Sequence, residues 1–371
     1  MNTADLRTAI LSRFLIRRRR PGRERRWTLA VYKADRLGDF VLAIGAIRRL
    51  VETTGAHRTV LVLTRHAEAI AAREFPGVSR VIVDPTRSGV GAAAAELWQR
   101  RREQIFREGV EHLVCLRHHR LPAESLMASA IPAGTTWGMA SSTLPGPQAK
   151  LGTLPLDRDI APLPVGAEEC LELARHRAVL GAYRGTPLAP AEITPTLEPG
   201  WSGSGSRAVA SPFGSAEIRD IPRRLLIVAA RHLREAHGLG LDLLCPPGET
   251  DRFAELAGWL AANGCADVRV EDCDSSESLR TRLRASRLVL SAETGTAHLA
   301  AALDAPLVAL LGGGHFGWFA PWRRSARQHW LSEPVECRGC SWYCHRATPE
   351  CLTGIAEHSV LDAIDAALAC G

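Results

Sequence analysis

Long apolar runs are missing from this sequence of 371 residues. Its uninterrupted apolar stretches stay below about ten residues, against the ~20 that a spanning helix needs, which excludes an ordinary helical membrane protein. Aromatic residues are few, at 5%, and acidic excess is absent. The 32 Gly and 22 Pro follow no collagen-like period, and 46% hydrophobic with 23% charged residues excludes a disordered chain. The length instead favours two domains, each with its own core. A secretory signal pattern is also lacking, because Leu6–Ile16 carries Arg7 and Arg13 and runs into arginines instead of a small-residue cleavage site. The ten Cys are therefore expected to be cytosolic thiols or metal ligands.

Charge is concentrated at one end. Residues 1–26 hold nine Arg against Asp5 and Glu24, a charge of +7 where the whole chain has +6, so the body carries −1. Leu6, Ile10, Leu11, Phe14 and Leu15 recur at helical spacing before Arg17–Arg20. A basic amphipathic tail of this kind fits an anionic inner-membrane surface, at about 1 kcal/mol per basic residue; a solvated, frayed terminus is the plainer reading. No aromatic platform accompanies the arginines, which weighs against nucleic acid. The expected location is cytoplasmic, peripheral at the inner membrane.

Beyond the tail, short apolar strands alternate with helical periodicity. Strands are expected at Thr28–Tyr32, Thr59–Leu63, Arg80–Val83 and His112–Leu116, with helices at Phe40–Val51, Ala67–Glu74 and Ala92–Phe106. Residues 140–165 read as loop, and a helix follows at 167–181. Residues 184–206 contain four Pro and four Gly and no periodicity, which reads as a flexible linker at 186–206. The alternation then resumes: a strand ending at Val209, a helix from Pro222 at its first turn, strands at 239–244, 267–271, 287–291 and finally Leu307–Leu311, and a last helix at 359–369. The expected organisation is a tail (1–26), a first α/β domain (27–185), the linker, a second α/β domain (207–354) with the Cys-rich segment 337–351, and a C-terminal helix (355–371). Each α/β half should bind ligands at the carboxyl ends of its strands.

Three segments at such strand ends could carry chemistry. After the first strand comes Lys33-Ala34-Asp35-Arg36-Leu37-Gly38-Asp39-Phe40, where Gly38 allows a tight turn and Asp39 stands at a helix N-cap position facing the ligand side. Asp39 has capping as its plainer role, and Asp35 with Arg36 could form a structural pair. Ser291-Ala292-Glu293-Thr294-Gly295-Thr296-Ala297-His298 offers backbone N–H groups at a helix start, which suits phosphate, without a Walker or dinucleotide pattern. His298 could simply pack against the sheet. In Ser211–Pro222, Gly214 and Ser215 follow a strand and Arg219 could clamp a diphosphate or merely be solvated.

Together these segments, with Ala-Pro-Leu-Val-Ala-Leu-Leu-Gly at 305–312, resemble glycosyltransferase family 9, the ADP-heptose heptosyltransferases, over about residues 28–368. The resemblance implies a GT-B fold of two Rossmann-like, doubly wound domains facing a cleft and closing across the linker. It implies inverting, metal-independent transfer of heptose from ADP-heptose to a hydroxyl of a lipopolysaccharide core or another cell-surface glycan. Asp39 is then the general base; Thr294, Gly295 and Thr296 hold the diphosphate with Arg219 and Ser215; Glu249, or Asp251 in its stead, holds the ribose. Glu293 stands where the family has Asp and would touch the donor sugar, and His298 completes that element. Arg219 replaces a common Lys, and Ile221 replaces the Trp before Pro222.

Cys337, Cys340, Cys344 and Cys351 lie within fifteen residues, with His345 among them. Four thiolates can wrap one tetrahedral Zn²⁺, and soft sulfur also admits iron; reduced thiols or disulfides are the alternative. The resemblance favours a structural ion here, with no open coordination position. Cys115, Cys170, Cys245, Cys265 and Cys273 read as ordinary packing or surface residues. Arg87, Arg117, His118, His119 and Arg120 could meet an anionic glycan or lipid-linked acceptor, although solvation is the simpler expectation. Two other functions stay open: a non-catalytic nucleotide-sugar-binding assembly protein, and a transferase with another donor or a protein acceptor.

Overall fold

The computed structural model describes residues 26–84, 90–120, 122–140, 154, 156–166, 169–322 and 325–370. The amphipathic tail and Arg87 lie outside the described residues. The chain divides into two compact units. The first holds the described residues to Arg36, Ala43–Pro164 and Ala174–Ile193; the second holds Leu37–Leu42, Val165–Leu173 and everything from Thr194 onward.

The first unit is built on β1 (Trp27–Lys33), β2 (Thr59–Leu63), β3 (Ser79–Ile82), β4 (Val110–Cys115), β5 (Ala133–Gly138) and β6 (Arg158–Asp159). All pair in parallel, in the order β3-β2-β1-β4-β5-β6. Central strands reading Leu-Ala-Val-Tyr and Val-Leu-Val-Leu are buried on both faces, as a parallel sheet covered by helices requires. The helices are α1 (Leu37–Thr54), α2 (Arg65–Glu74), α3 (Val90–Arg100), α4 (Gln104–Glu108), α5 (Pro122–Ser129) and α6 (Leu171–Arg184). The single helix expected over 92–106 is two, because Arg100-Arg101-Arg102 offers no apolar side chain to hold another turn on the core. Arg100 instead pairs with Glu96 and Glu103.

The second unit repeats the scheme with β7 (Arg207–Ser211), β8 (Gly240–Cys245), β9 (Val268–Asp272), β10 (Leu288–Ala292), β11 (Leu307–Leu310) and β12 (Gln328–Leu331), in the parallel order β12-β11-β10-β7-β8-β9. Its helices are α7 (Arg223–His237), α8 (Thr250–Ala262), α9 (Ser276–Ala285), α10 (Gly295–Ala302), α11 (Glu350–Thr353) and α12 (Glu357–Ala369). Leu225, Leu226, Ala229, Ala230 and Leu233 of α7, and Val360, Ala363, Ile364 and Ala367 of α12, form helical stripes in one core. Leu307–Leu310 is therefore not the last strand; β12 adds a sixth, and Pro222 precedes α7 instead of opening it.

The glycine- and proline-rich stretch before β7 is anchored, contrary to the flexible reading. Arg284 Nε donates to Gly200 O at 2.9 Å, Trp201 Nε1 donates to Ser286 O at 2.7 Å, and buried Arg280 donates to Glu198 O. Its breakers satisfy their backbone groups through α9, a long-range partner that local periodicity does not reveal.

Candidate active site

In each unit the strand order reverses beside the first strand: at β1/β4 in the first and β7/β10 in the second. The carboxyl ends of strands at such a reversal leave a crevice for ligand, because successive connections turn away in opposite directions. The three candidate segments found in the sequence follow β1, β7 and β10, at these two places.

In the second unit, Thr294 is the N-cap of α10, and its Oγ1 accepts from Thr296 N–H at 3.2 Å. Thr296 Oγ1 donates to Ser211 Oγ at 3.2 Å, which ties α10 to the end of β7. Thr294 and Gly295 are half-buried while Thr296 is buried. The turn is thus rigid, with positive backbone dipoles at its opening. Within the same unit Gly38 approaches it directly. A Cβ on Gly38 would lie 2.8 Å from His298 Cδ2 and 3.1 Å from Gly295 Cα, so only glycine fits. Asp39 follows immediately and is half-buried. It is the third residue of α1, whose N-cap is Arg36, so the expected capping role is not its own.

His298 is buried, and its Nδ1 accepts the indole N–H of Trp322 at 3.0 Å. That bond sets the tautomer with the proton on Nε2, and burial lowers the pKa from 6.5 to about 4. The ring packs behind the turn as a neutral wedge, the plainer of its two expected roles. The sign of the linkage follows: between pH 6.5 and about 4 the unfolded chain binds a proton that the folded one refuses. Stability from this group is complete above pH 6.5 and falls by about 3 kcal/mol as pH drops through that window. In His298→Asn, whose side-chain carbonyl can replace Nδ1, urea midpoints at pH 7.5 and pH 4.5 should lose this part of their difference. An unaltered difference would show that His298 does not titrate in this way.

Glu293 lies between β10 and the turn. Its Oε1 is 3.4 Å from His315 Nδ1, while Oε2 is buried without a hydrogen-bond partner among the described residues. An orphaned buried acceptor is costly unless something donates to it, and a sugar hydroxyl has the right chemistry. His315 stacks on Trp318, with ring centroids 5.7 Å apart, and meets Trp342 edge-on.

Arg219 donates to Ser215 Oγ at 3.2 Å and lies over the Trp342 ring at 5.0 Å, so it is held in place and not merely solvated. Its loop is braced by Asp220, which accepts from Gly214 N–H at 2.8 Å and pairs with Arg252. Burial raises the Asp220 pKa, against the opposing pull of that N–H and Arg252. Arg252 in turn lies 3.7 Å from Glu249 and covers Phe213, which brings half-exposed Glu249 to the same strand-end surface; Asp251 is exposed. Arg219→Ala should weaken nucleotide-diphosphate binding by about tenfold or more, the scale of one charge-assisted hydrogen bond. Calorimetry with ADP checks it, and equal affinity would remove the clamp.

Cys337, Cys340, Cys344 and Cys351 line one small cavity with Gly313, Trp342, Arg346 and Glu350. His345 is exposed and not among the lining residues. The loop bonds to the stretch after β11 through Gly339 N–H to Gly313 O and Ser341 N–H to Gly314 O, at 2.8 and 3.0 Å. Ser341 and Trp342 adopt left-handed φ values of 54° and 65°, an unfavourable backbone for non-glycine residues. That bend lays Trp342 flat on Gly312 and Gly314, where any Cβ would collide with the indole. The Cys-rich loop thereby supplies the ring on which Arg219 and His315 rest. Nothing in the local sequence around Trp342 signalled this role.

In the first unit, Asp35 is buried and pairs with Lys33 Nζ at 3.2 Å and with Arg117, whose other nitrogen reaches Glu124 at 2.6 Å. Asp35 meets Arg36 only through the backbone N–H, so the expected side-chain pair does not form. His118 and Arg120 are buried, Arg120 donates to Arg117 O and Met139 O, and His119 lies 3.1 Å from Arg175. The expected solvation is therefore overturned for Arg117, His118 and Arg120, which prop the strand ends from inside, while His119 is half-buried. A cavity of about 320 Å³ lined by His118, Met139, Asp159, Pro162 and Arg175 opens beyond β4 and β5. Cys115, Cys170, Cys245, Cys265 and Cys273 are all buried, and burial raises the Cys170 thiol to about 12 and Cys273 to about 11.

Comparison with known proteins supports the geometry. Residues 275–342 match the model of glycosyltransferase family 9 (heptosyltransferase). The heptosyltransferase WaaC of E. coli, solved with ADP-2-deoxy-2-fluoro heptose, is 18% identical with a TM-score of 0.60, over 85% of this chain and 97% of that one. The E. coli ADP-heptose lipopolysaccharide heptosyltransferase II is 16% identical with a TM-score of 0.65, over 92% and 98%. The iron-containing dodecameric glycosyltransferase TibC of enterotoxigenic E. coli is 13% identical with a TM-score of 0.51, over 94% and 77%. No curated protein sequence matches the chain. Two parallel six-stranded α/β units with this strand order define the two-domain α/β architecture of the GT-B fold, which those glycosyltransferases share. More narrowly, the stretch 275–342 is similar to glycosyltransferase family 9, the heptosyltransferases.

Proposed function

We propose that this protein transfers heptose from ADP-heptose, with inversion and without a catalytic metal ion, to a hydroxyl of a lipopolysaccharide core or another cell-surface glycan. The observation that carries the reading is the approach of Gly38 to Gly295, which brings the turn bearing Asp39 to the N-terminus of α10. Asp39 takes the proton of the acceptor hydroxyl as its oxygen attacks the anomeric carbon. The bond from that carbon to the diphosphate oxygen breaks on the opposite face, and ADP leaves with the electron pair. The α10 N-terminus and Arg219 stabilise the developing charge, which is the task a divalent cation would otherwise perform. Glu293 Oε2 accepts from a sugar hydroxyl, and Glu249 accepts from the ribose.

Incubation with ADP-heptose and a panel of other nucleotide sugars tests this. Thermal stabilisation greatest with ADP-heptose, and transfer detected by mass spectrometry on glycan acceptors, are expected. Stabilisation without hydrolysis or transfer would favour a non-catalytic assembly protein, and a different preferred sugar would reassign the donor. The cavity bearing Arg175 suits an anionic acceptor. The basic tail would keep the enzyme on the cytoplasmic side of the inner membrane, next to a lipid-linked acceptor. Vesicle flotation with and without residues 1–26 reads that directly.

A structural Zn²⁺ or iron ion at the four thiols belongs to the same proposal: they line one cavity, and their sulfur atoms would draw together around the ion. Sulfur donors favour such soft ions, and Cys351 is already buried at its wall. An ion there would pin the loop that carries Trp342. Elemental analysis of protein purified under reducing conditions should find about one Zn or Fe per chain, and less than about a tenth of that would sink the site.

A further inference from the structure

A second group of metal-ligating side chains lies outside this machinery, on the surface where α7 meets α12. His232 and His237 both come from α7, and Asp365 from α12. Their Nε2 atoms lie 2.6 and 2.7 Å from the same carboxylate oxygen, Asp365 Oδ1. All three ligand atoms fall within 4.8 Å of one another. The imidazoles are about a quarter exposed and the carboxylate about half, so an incoming ion meets no closed wall.

We propose that His232, His237 and Asp365 form a binding site for a first-row divalent transition ion of the Zn²⁺ class, joining α7 to α12. Two imidazole nitrogens and one carboxylate oxygen make the donor set these ions prefer; Mg²⁺ and Ca²⁺ want oxygen alone. Bonds of about 2.1 Å at a tetrahedral ion separate its ligands by roughly 3.4 Å. Each present contact therefore needs to open by less than about 1 Å. The chain allows this, since His237 is the last residue of α7 and Gly238 beyond it adopts the left-handed cap with φ 66°. The fourth position faces solvent and takes water or an anion.

The ion would complete an existing seam. At the other end of the same helix pair, Arg224 donates to Thr353 O and Ile355 O at 2.6 Å and pairs with Glu357. Residues 224 and 357 meet at one end, and 232, 237 and 365 at the other. The apolar stripes of both helices fill the core between. Metal binding would lock α12 onto the donor-side unit.

Cobalt(II) is a suitable optical probe because thiolate ligands give it sulfur charge-transfer absorption that His and Asp do not. Titration of the metal-free full chain should show one equivalent of Co²⁺ that His232→Gln/His237→Gln and Asp365→Asn lack, with the sulfur absorption unchanged. Zn²⁺ should raise the thermal midpoint of the wild type more than that of the double variant. On the unaltered chain, Zn²⁺ should protect His232 and His237 from carbethoxylation, read by peptide mass spectrometry. Equal Co²⁺ stoichiometry and affinity in all three proteins, or equal modification of both histidines with and without Zn²⁺, would overturn the site.

Discussion

Asp39→Asn is expected to lower turnover about 100-fold or more, the usual worth of a positioned general base, while the affinity for ADP-heptose stays within about twofold of wild type. The amide keeps the shape of the carboxylate but cannot take the acceptor proton. Arg36 and not Asp39 holds the N-cap position of α1, and the near-isosteric amide should retain the fold, which circular dichroism checks. Single-turnover measurements with saturating donor separate the chemical step from binding. A near-normal rate would remove Asp39 from the mechanism. A parallel loss of donor affinity would mean that its part is in binding.

The other large effect is expected from Arg117→Ala. Arg117 bridges Asp35 and Glu124, whose side chains are 7% and 0% exposed, and its guanidinium is itself only 14% exposed. Removal leaves Glu124 in the interior without this cation, and Asp35 with Lys33 and the Arg36 backbone N–H. Breaking a buried ion pair from one side costs about 3–5 kcal/mol, because the remaining charge has lost its water and now also its partner. Urea unfolding followed by Trp fluorescence should shift accordingly, and Arg117→Met/Glu124→Gln should recover part of the loss. A change under about 1 kcal/mol would show that water reaches Glu124 and solvates it. The network closes the carboxyl ends of β1 and β4, so its failure should also reduce turnover through the 34–38 turn that leads to Asp39.

The contrast between Asp39 and Arg117 marks what local sequence can carry. Gly38-Asp39 and Thr294-Gly295-Thr296 are turns that open helices after buried strands, and that context is written in consecutive residues. Strand and helix periods place them at strand ends without any tertiary information. Arg117–Arg120 read as a basic, solvent-facing run because four polar residues in sequence carry no sign of what covers them. Their partners Asp35, Glu124, Met139 and Arg175 come from other elements. Trp342 is the sharper case: one of two adjacent aromatics inside a cysteine-rich loop becomes the platform under Arg219.

By itself the sequence determined the alternating α/β plan, the two-unit division, the Gly38-Asp39 turn after a strand, the Thr294-Gly295-Thr296 helix start and the closely spaced run of four cysteines. Each is a short-range pattern set by backbone geometry, side-chain period or the spacing of ligand atoms. Tertiary structure alone decided that Gly38 approaches Gly295, that one buried Glu293 oxygen has no partner among the described residues, that His298 stays neutral behind the turn, and that the stretch before β7 is fastened to α9. Those outcomes depend on which distant groups share a desolvated space, where pairing and burial energies act between residues far apart in the chain.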